Sequence, residues 1–397
     1  MVLTNYMIEL TLDQKNALQI LSTWVKKPGK QYIALGGYAG TGKTMLLSIF
    51  RQKLNEQKPK LKVAFCSFTG KASQVLKQML TANKALLKQD SVSTIHALIY
   101  QAIDDNYGRV IGWKKRESLE ANLIIVDEAS MVSKTIWQDL LSFGLPIIVS
   151  GDHGQLPPIG ESFSLMDELD IRLEQIHRQA ADSPIIKLSF HARTQGFIPI
   201  GRFSSNVVKY SFGDPDINQI TQDLLEQWNE DTLFLVGRNK TRVKLNTEIR
   251  AIREVYNLSP QPKDRIICVK NNWQTGIFNG MLGTIEKIKP KTDGKGKVHW
   301  YQTEIMMNDG TFYQGLISAY QFNHDSVLRE APGLDFRKVG DLFDFGYALT
   351  VHKAQGSSAA KVVVFEERNQ HQSDDDWKRW LYTAVTRAEK ELIVIGN

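Results

Sequence analysis

The chain has 397 residues, 42% hydrophobic and 23% charged, the balance of a globular protein too long for one ordinary core. Its 49 Lys and Arg against 43 Asp and Glu leave a formal net charge of +6, which suits a polyanionic partner without identifying one. No apolar run approaches the roughly 18 residues of a membrane span, and the N-terminus carries Glu9 and no basic cluster, so no membrane role, secretory signal or transit peptide is expected. The expected location is the cytoplasm, or the host cytoplasm for a phage-encoded chain. Cys66 and Cys268 lie far apart inside apolar runs, which suits buried reduced thiols rather than a disulfide or zinc site.

In chain order, Thr11-x-x-Gln14 reads as a helix capping box. The run Tyr32 to Leu35 predicts a buried strand, and Met45, Leu46, Leu47, Ile49 and Phe50 predict the apolar face of a helix. Between them Gly37-Tyr-Ala-Gly-Thr-Gly-Lys-Thr44 matches the phosphate-binding loop pattern G-x-x-x-x-G-K-[ST]. Gly37, Gly40 and Gly42 let the backbone curl around Thr41 so that its N–H groups surround a polyphosphate. Lys43 adds a point charge and Thr44 a hydroxyl ligand for Mg²⁺. A nucleoside triphosphate is the expected ligand.

Further strands are predicted at Lys62 to Ser67, Leu123 to Val126 and Pro146 to Ser150, then at Thr232 to Val236, Lys361 to Phe365 and Glu391 to Ile395. Strands alternating with helices argue for parallel sheets, and a break between Gln179 and Thr232 argues for two α/β lobes. Tyr100 to Ser118 is a small insertion with a turn signal at Asp104 to Gly108. From Pro262 to Asp344 short strand-like runs predict a small antiparallel barrel, with the basic stretch Lys287 to Lys297 as a solvated hairpin tip or a nucleic-acid contact. Trp377 and Trp380, three apart, share a helix face and are expected in the core.

Hydrolysis needs a metal ligand and a group that orients water, both at the ends of neighbouring parallel strands. Asp127 ends an apolar strand and can hold Mg²⁺. Glu128 beside it can polarise the attacking water, and Gln155, in Gly151-Asp-His-Gly-Gln-Leu-Pro-Pro-Ile-Gly160, can sense the γ-phosphate.

The ordered segments G-Y-A-G-T-G-K-T, S-F-T-G-K-A, S-T-I-H, D-E-A-S, G-D-H-G-Q-L-P-P-I-G, Y-A-L-T-V-H-K-A-Q-G-S and Y-T-A-V-T-R-A resemble the superfamily 1 helicases, and among them the RecD-like group with its small phage members. The resemblance runs from about Thr11 to Arg387. It implies an α/β fold of two RecA-like P-loop lobes that clamp ATP between them. The first lobe would hold 1–99 and 119–179, and the second 180–261 and 345–397. A short pin-like hairpin would occupy 100–118 and an SH3-like β subdomain 262–344, where Asn272 and Phe278-Asn279-Gly280 resemble a recurrent signature.

By the same resemblance Gln14 would read adenine, with the capping box as the rival reading, and Gly356 would contact phosphate through its backbone. Arg178 and Arg387 would reach the γ-phosphate, where a planar, permanently charged fork suits the transferring phosphoryl group. Thr69, Gly70, Lys71, Thr94, His96, Thr350, His352 and Lys353 would hold single-stranded DNA. A helix N-cap is the alternative for Thr94 and a buried structural role for His96. Trp113 would be the duplex wedge, with Ile111 as a rival and packing as a third reading. The implied activity is that of an ATP- and Mg²⁺-dependent DNA helicase moving 5′ to 3′ on a single strand. Its implied partners are single-stranded and forked DNA, with a single-strand-binding or replication protein as a candidate, and the expected state is a monomer. The competing reading is a single-strand translocase, or a protein-displacing or RNA-acting ATPase, with weak unwinding.

Overall fold

The computed structural model describes residues 10–104, 110–158, 163–176, 182–272, 275–293, 295–308, 310–329 and 339–397. The chain forms two compact units. One comprises Met1–Phe68, Ala72–Ile99 and Glu117–Ile186, the other Thr69–Lys71, Tyr100–Arg116 and Lys187–Asn397. Among the described residues no helix is long and apolar enough to cross a membrane.

The chain opens with α1 (Leu12–Trp24), β1 (Tyr32–Gly37), α2 (Lys43–Gln57), β2 (Val63–Ser67), α3 (Gly70–Ala82), β3 (Ser91–Thr94) and α4 (Ile95–Ile99). It continues through β4 (Tyr100–Asp104), β5 (Val110–Lys115), β6 (Leu123–Asp127), α5 (Lys134–Leu141), β7 (Ile147–Gly151) and β8 (Ile171–Leu173). The first unit's sheet has the order β3-β2-β6-β7-β1-β8, and every pairing is parallel. Strands β2, β6 and β7 are buried along their whole length, which explains why each reads as an unbroken apolar run rather than an alternating one. The predicted capping box starts α1, and α2 buries Leu46, Leu47, Phe50 and Leu54 in one core with Ala17, Leu18, Leu21, Ile33, Leu35 and Phe65. Gly36 of β1 stands opposite Gly151 of β7, so the segments that follow these neighbouring strands emerge at the same sheet edge.

A buried ion pair closes the other side of this core. Arg51 Nε donates to Asp90 Oδ2 at 2.9 Å and its Nη2 to Asp90 Oδ1 at 3.0 Å, with both side chains fully buried. Asp90 also accepts from the N–H groups of Val63 and Leu87. Replacing Asp90 with Ala strands the guanidinium and two amides, so Asp90→Ala is expected to cost about 3–5 kcal/mol. Urea unfolding of the variant checks this; an unchanged midpoint would remove the pair from the account.

The second unit adds α6 (Pro184–Gln195), β9 (Gly201–Ser204), β10 (Val207–Ser211), α7 (Ile217–Glu226), β11 (Thr232–Val236), α8 (Asn239–Ile252), β12 (Arg265–Cys268), β13 (Leu282–Thr292), β14 (Val298–Met307) and β15 (Phe312–Ser318). It closes with β16 (Phe343–Phe345), β17 (Ala348–Thr350), β18 (Ala359–Phe365), α9 (Asp374–Val385) and β19 (Ala388–Gly396). Its main sheet has the order β17-β11-β18-β19-β10-β9, parallel except for β9. Both units are therefore α/β with parallel sheets, the architecture of RecA-like lobes. The second set of strands begins at β9, not near Thr232 as expected from the sequence. The runs in β9 and β10 are short and broken by Ser, Lys and Arg, so no apolar stretch marks them.

Between β12 and β16 the expected antiparallel texture is present as a five-stranded sheet, β15-β14-β13-β12-β16. Strands β4 and β5 pair as an antiparallel hairpin. Trp377 and Trp380 stack with centroids 4.9 Å apart and planes at 11°, and both are buried, in line with the core reading. Both cysteines are free thiols and buried.

One feature of α8 separates the two units chemically. Glu367 Oε2 accepts from the N–H groups of Gly237 (3.0 Å) and Arg238 (2.9 Å), and Thr241 donates its hydroxyl to the same carboxylate. The helix that follows β11 thus has its N-terminal dipole answered by a carboxylate of its own chain. The corresponding helix after β1 is preceded by the glycine-rich loop.

Candidate functional site

The loop between β1 and α2 has the shape its glycines require. Gly40 and Gly42 adopt φ of 80° and 77°, where a Cβ costs about 1–2 kcal/mol. A Cβ on Gly37 would fall 2.6 Å from Thr41 Oγ1. Lys43 Nζ donates to the carbonyls of Gly37 (2.7 Å) and Tyr38 (3.1 Å), and the buried Thr41 donates its hydroxyl to Tyr38 O at 2.8 Å. The first-turn N–H groups of α2 have no intrahelical acceptor, so loop and helix together form an anion cradle.

Beside it, Thr44 Oγ1 donates to Asp127 Oδ2 at 2.8 Å. A hydroxyl and a buried carboxylate in contact are the hard-oxygen pair that Mg²⁺ selects, so these residues fit a magnesium-bound triphosphate. Glu128 follows with φ 55° and ψ 41°, a left-handed conformation that costs a non-glycine residue about 1–3 kcal/mol and clusters at functional sites. Its N–H donates to Asp127 Oδ1 at 3.1 Å. At the end of β7, Asp152 organises the turn that carries the buried Gln155. Asp152 Oδ1 accepts from Gly154 N–H at 2.9 Å, and Oδ2 accepts from Gln155 Nε2 at 3.3 Å. The first unit therefore brings together Lys43, Thr44, Asp127, Glu128 and Gln155 at the C-terminal edge of one parallel sheet.

Gln14 is fully buried, and its amide is used at both ends. Oε1 accepts from Thr11 N–H at 3.0 Å, completing the capping box, and Nε2 donates to Thr41 O at 2.9 Å. The helix start is thereby tied to the phosphate loop, a contact that sequence reading missed because nothing local marks it. Asp13 was missed as well. Its carboxylate accepts from the N–H groups of Glu174 (2.8 Å) and Gln175 (2.9 Å), anchoring α1 to the segment after β8. Although partial burial acts to raise its pKa, the Thr11 hydroxyl and these amides hold it below the usual range. Arg178 lies outside the described residues.

Among the residues assigned to DNA, Thr94 and His96 take their local alternatives. Thr94 Oγ1 accepts from Ala97 N–H at 3.1 Å, which caps α4, and His96 is buried edge-on to Phe68 with ring centroids 6.1 Å apart. Burial lowers the His96 pKa to about 4, so the ring is neutral at physiological pH and offers no charge to a phosphate.

The remaining ones fall in the second unit. Thr69 Oγ1 donates to Gly356 O at 3.2 Å, Lys71 donates to Ser358 O, and its ammonium stands 3.6 Å from Glu389. Gly70 opens α3, Gly356 has φ 68°, Thr350 ends β17 in a buried position, and His352 and Lys353 follow it with His352 exposed. Arg387 is buried and held by its own unit, Nε donating to Thr383 O at 3.1 Å and Nη1 to Ser357 O at 3.3 Å. Trp113, on β5, packs on the backbone of Gly276: a Cβ there would lie 2.9 to 3.1 Å from three indole atoms. The Trp113 ring is thus engaged in packing, and the side chain of Ile111 lies outside the described ones.

Two family models match the chain in this order: an AAA domain over residues 9–198, and a UvrD-like helicase C-terminal domain over residues 345–395. The chain is 26% identical over 393 residues to the ATP-dependent RecD2 DNA helicase of Deinococcus radiodurans, covering 93% of this chain and 47% of that protein. It is also 26% identical over 415 residues to the ATP-dependent DNA helicase Pif1 of Campylobacter jejuni, covering 90% of this chain and 86% of that one. The chain is similar to the superfamily 1 helicases of the RecD-like and Pif1 type. It spans about half the length of the Deinococcus relative. Among solved structures, a Bacteroides Pif1 helicase in complex with ADP-AlF3 and ssDNA shares the fold, with a TM-score of 0.50 at 17% identity over 98% of this chain and 92% of the other. The chain thus pairs a complete phosphate loop in one unit with a segment matching the UvrD-like helicase C-terminal domain in the other.

Proposed function

We propose that the chain is an ATP-dependent DNA helicase that translocates 5′ to 3′ on single-stranded DNA and unwinds duplex ahead of it. The observation that carries this reading is the Thr44–Asp127 contact, with Glu128 held in a strained conformation next to it. A protein that only binds nucleotide has no need of a water-orienting glutamate. The named RecD2 and Pif1 relatives are ATP-dependent DNA helicases, and the Bacteroides structure contains single-stranded DNA. The polarity rests on the RecD-like resemblance.

In this mechanism ATP supplies the β–γ phosphoanhydride, and its cleavage by water to ADP and phosphate drives movement. Backbone amides from Gly37 to Thr44 and the Lys43 ammonium bind the phosphates, and Thr44 and Asp127 would hold the metal, which would offset phosphate charge. Glu128 orients water and takes up its proton, and Gln155 follows the γ-phosphate. Arg178 and Arg387 neutralise charge on the transferring group. Thr69, Gly70, Lys71, Thr350, His352 and Lys353 hold the strand through its backbone without reading sequence. Residues 1–99 with 119–179 and 180–261 with 345–397 would be the RecA-like lobes. Residues 100–118 would be the pin-like hairpin and 262–344 an SH3-like subdomain. We further propose a monomer acting in the cytoplasm in replication, repair or recombination, on single-stranded and forked DNA, with a single-strand-binding or replication protein as a candidate partner.

A second reading, a translocase with weak unwinding, is favoured by one observation: the hairpin is short, and its Trp113 is occupied by Gly276. Both readings require ATP hydrolysis that single-stranded DNA accelerates. Steady-state ATPase assays with and without oligonucleotide test this shared step, and a rate indifferent to DNA would overturn both.

Lys353 gives the strand contact a pH signature. Burial, and after it the charge of Arg242, push its ammonium down to about 8, against Asp344 and Cys268. The side chain is therefore charged at pH 7 and loses its proton as pH rises through 8, so its grip on phosphate weakens toward pH 9. Titrating a labelled oligonucleotide across this range is expected to show affinity falling several-fold more steeply for wild type than for Lys353→Arg, whose charge persists. Parallel curves would exclude Lys353 from the strand contact.

A further inference from the structure

We infer that Tyr38 and His153 form a tilted ring contact that couples the phosphate loop to the turn carrying Gln155, and that both are positioning residues for ATP hydrolysis. The inference rests on the hydrolysis reading above and concerns positions that the motifs leave open. Tyr38 is the first free position of G-x-x-x-x-G-K-[ST], and His153 the first free position after Gly-Asp in the Gly151 to Gln155 segment. The two rings lie 4.2 Å apart, centroid to centroid, with planes at 49°.

Each ring sits on a backbone that is fixed at the reacting end. The Tyr38 carbonyl accepts from the Lys43 ammonium at 3.1 Å, from the Thr41 hydroxyl at 2.8 Å and from Thr41 N–H at 3.3 Å. A triphosphate entering the cradle competes for that ammonium, so the Tyr38 peptide feels phosphate directly. His153 lies in a turn closed by Asp152, which accepts from Gly154 N–H through Oδ1 and from Gln155 through Oδ2, while its carbonyl accepts from Gln155 N–H at 3.3 Å. A turn pinned in this way moves as a unit, so a shift of the His153 ring reaches Gln155 instead of dissipating in side-chain rotation.

Gly36 keeps this arrangement possible. A Cβ there would stand 3.0 Å from His153 Nδ1 and 2.2 Å from Leu169 Cδ1, so the imidazole and Leu169 close over the bare backbone of β1. The ring is thereby held against the strand that leads into the phosphate loop, with Tyr38 beside it. Since β1 and β7 are hydrogen-bonded neighbours, with Gly36 opposite Gly151, the ring contact spans two adjacent strand ends and needs no intermediate residue.

The test compares DNA-saturated ATP turnover and the affinity for a non-hydrolysable ATP analogue in wild type, Tyr38→Ala, His153→Ala, the double variant, Tyr38→Phe and His153→Phe. Each alanine variant is expected to lower kcat about tenfold with analogue Kd changed less than about twofold. The double variant should be no slower than the slower single one, because the two residues act through one contact. The phenylalanine variants keep a ring and should retain most of the wild-type kcat. If an alanine variant loses its thermal transition, Tyr38→Leu, which fills the space without a ring, takes its place. Unchanged kcat in the folded variants, multiplicative losses in the double variant, or losses confined to Kd would each overturn the coupling. A wild-type chain that binds the analogue and shows no turnover would overturn the hydrolysis reading itself.

Discussion

Glu128→Gln is expected to abolish ATP turnover, by about 10²–10⁴-fold, while leaving nucleotide and single-stranded DNA binding in place. The amide matches the carboxylate in shape and fits the same left-handed backbone, so the strain at φ 55° and the N–H bond to Asp127 persist. What disappears is the negative charge that polarises water and accepts its proton. The neighbouring Thr44–Asp127 contact does not involve the replaced group, so magnesium and phosphate binding should survive. Steady-state hydrolysis measured beside fluorescent-nucleotide and oligonucleotide titrations separates the effects. A variant with full turnover would assign water activation elsewhere, and one that loses binding would make Glu128 a structural residue.

Lys43→Ala acts a step earlier and is expected to remove nucleotide affinity itself. The ammonium holds the carbonyls of Gly37 and Tyr38 together and adds a positive charge to the cradle. Its removal deletes a charge-assisted bond to phosphate, an effect of about 1.5–3 kcal/mol, and loosens the loop that presents the amides. The expected loss in ATP affinity is about 10- to 150-fold. Equilibrium titration with a labelled ATP analogue checks it, and an unchanged Kd would mean that the loop does not bind phosphate. The two variants differ in kind, because one binds without turning over and the other fails to bind.

The features legible in the sequence are those written locally. Apolar runs predict β1, β2, β6 and β7 because a strand covered on both faces must be apolar throughout, and the glycine pattern predicts a loop whose positive φ values only glycine accepts cheaply. Thr11 and Gln14 announce a capping box for the same reason, since both partners lie within one turn. Contacts between distant segments left no such mark. Gln14 bonding Thr41, Trp113 resting on Gly276, Tyr38 meeting His153 ring to ring and Glu367 closing the start of α8 each depend on which loops the sheets bring together. Asp152 is legible locally, because an Asp two residues before a Gly commonly folds onto the following amides. At Thr94 and His96 the resemblance implies a strand contact, and local physics supplies a cap and a desolvated ring at the same positions.

The central claim is that this chain converts ATP hydrolysis into directed strand separation, and forked duplexes with a loading tail at only one end test it most directly. With ATP and Mg²⁺, the purified protein is predicted to release the displaced strand from the 5′-tailed substrate alone, and the Glu128→Gln variant to release none. Release from the 3′-tailed substrate alone would contradict the assigned polarity. No release from either, with DNA-stimulated hydrolysis intact, would contradict the helicase reading and leave a translocase.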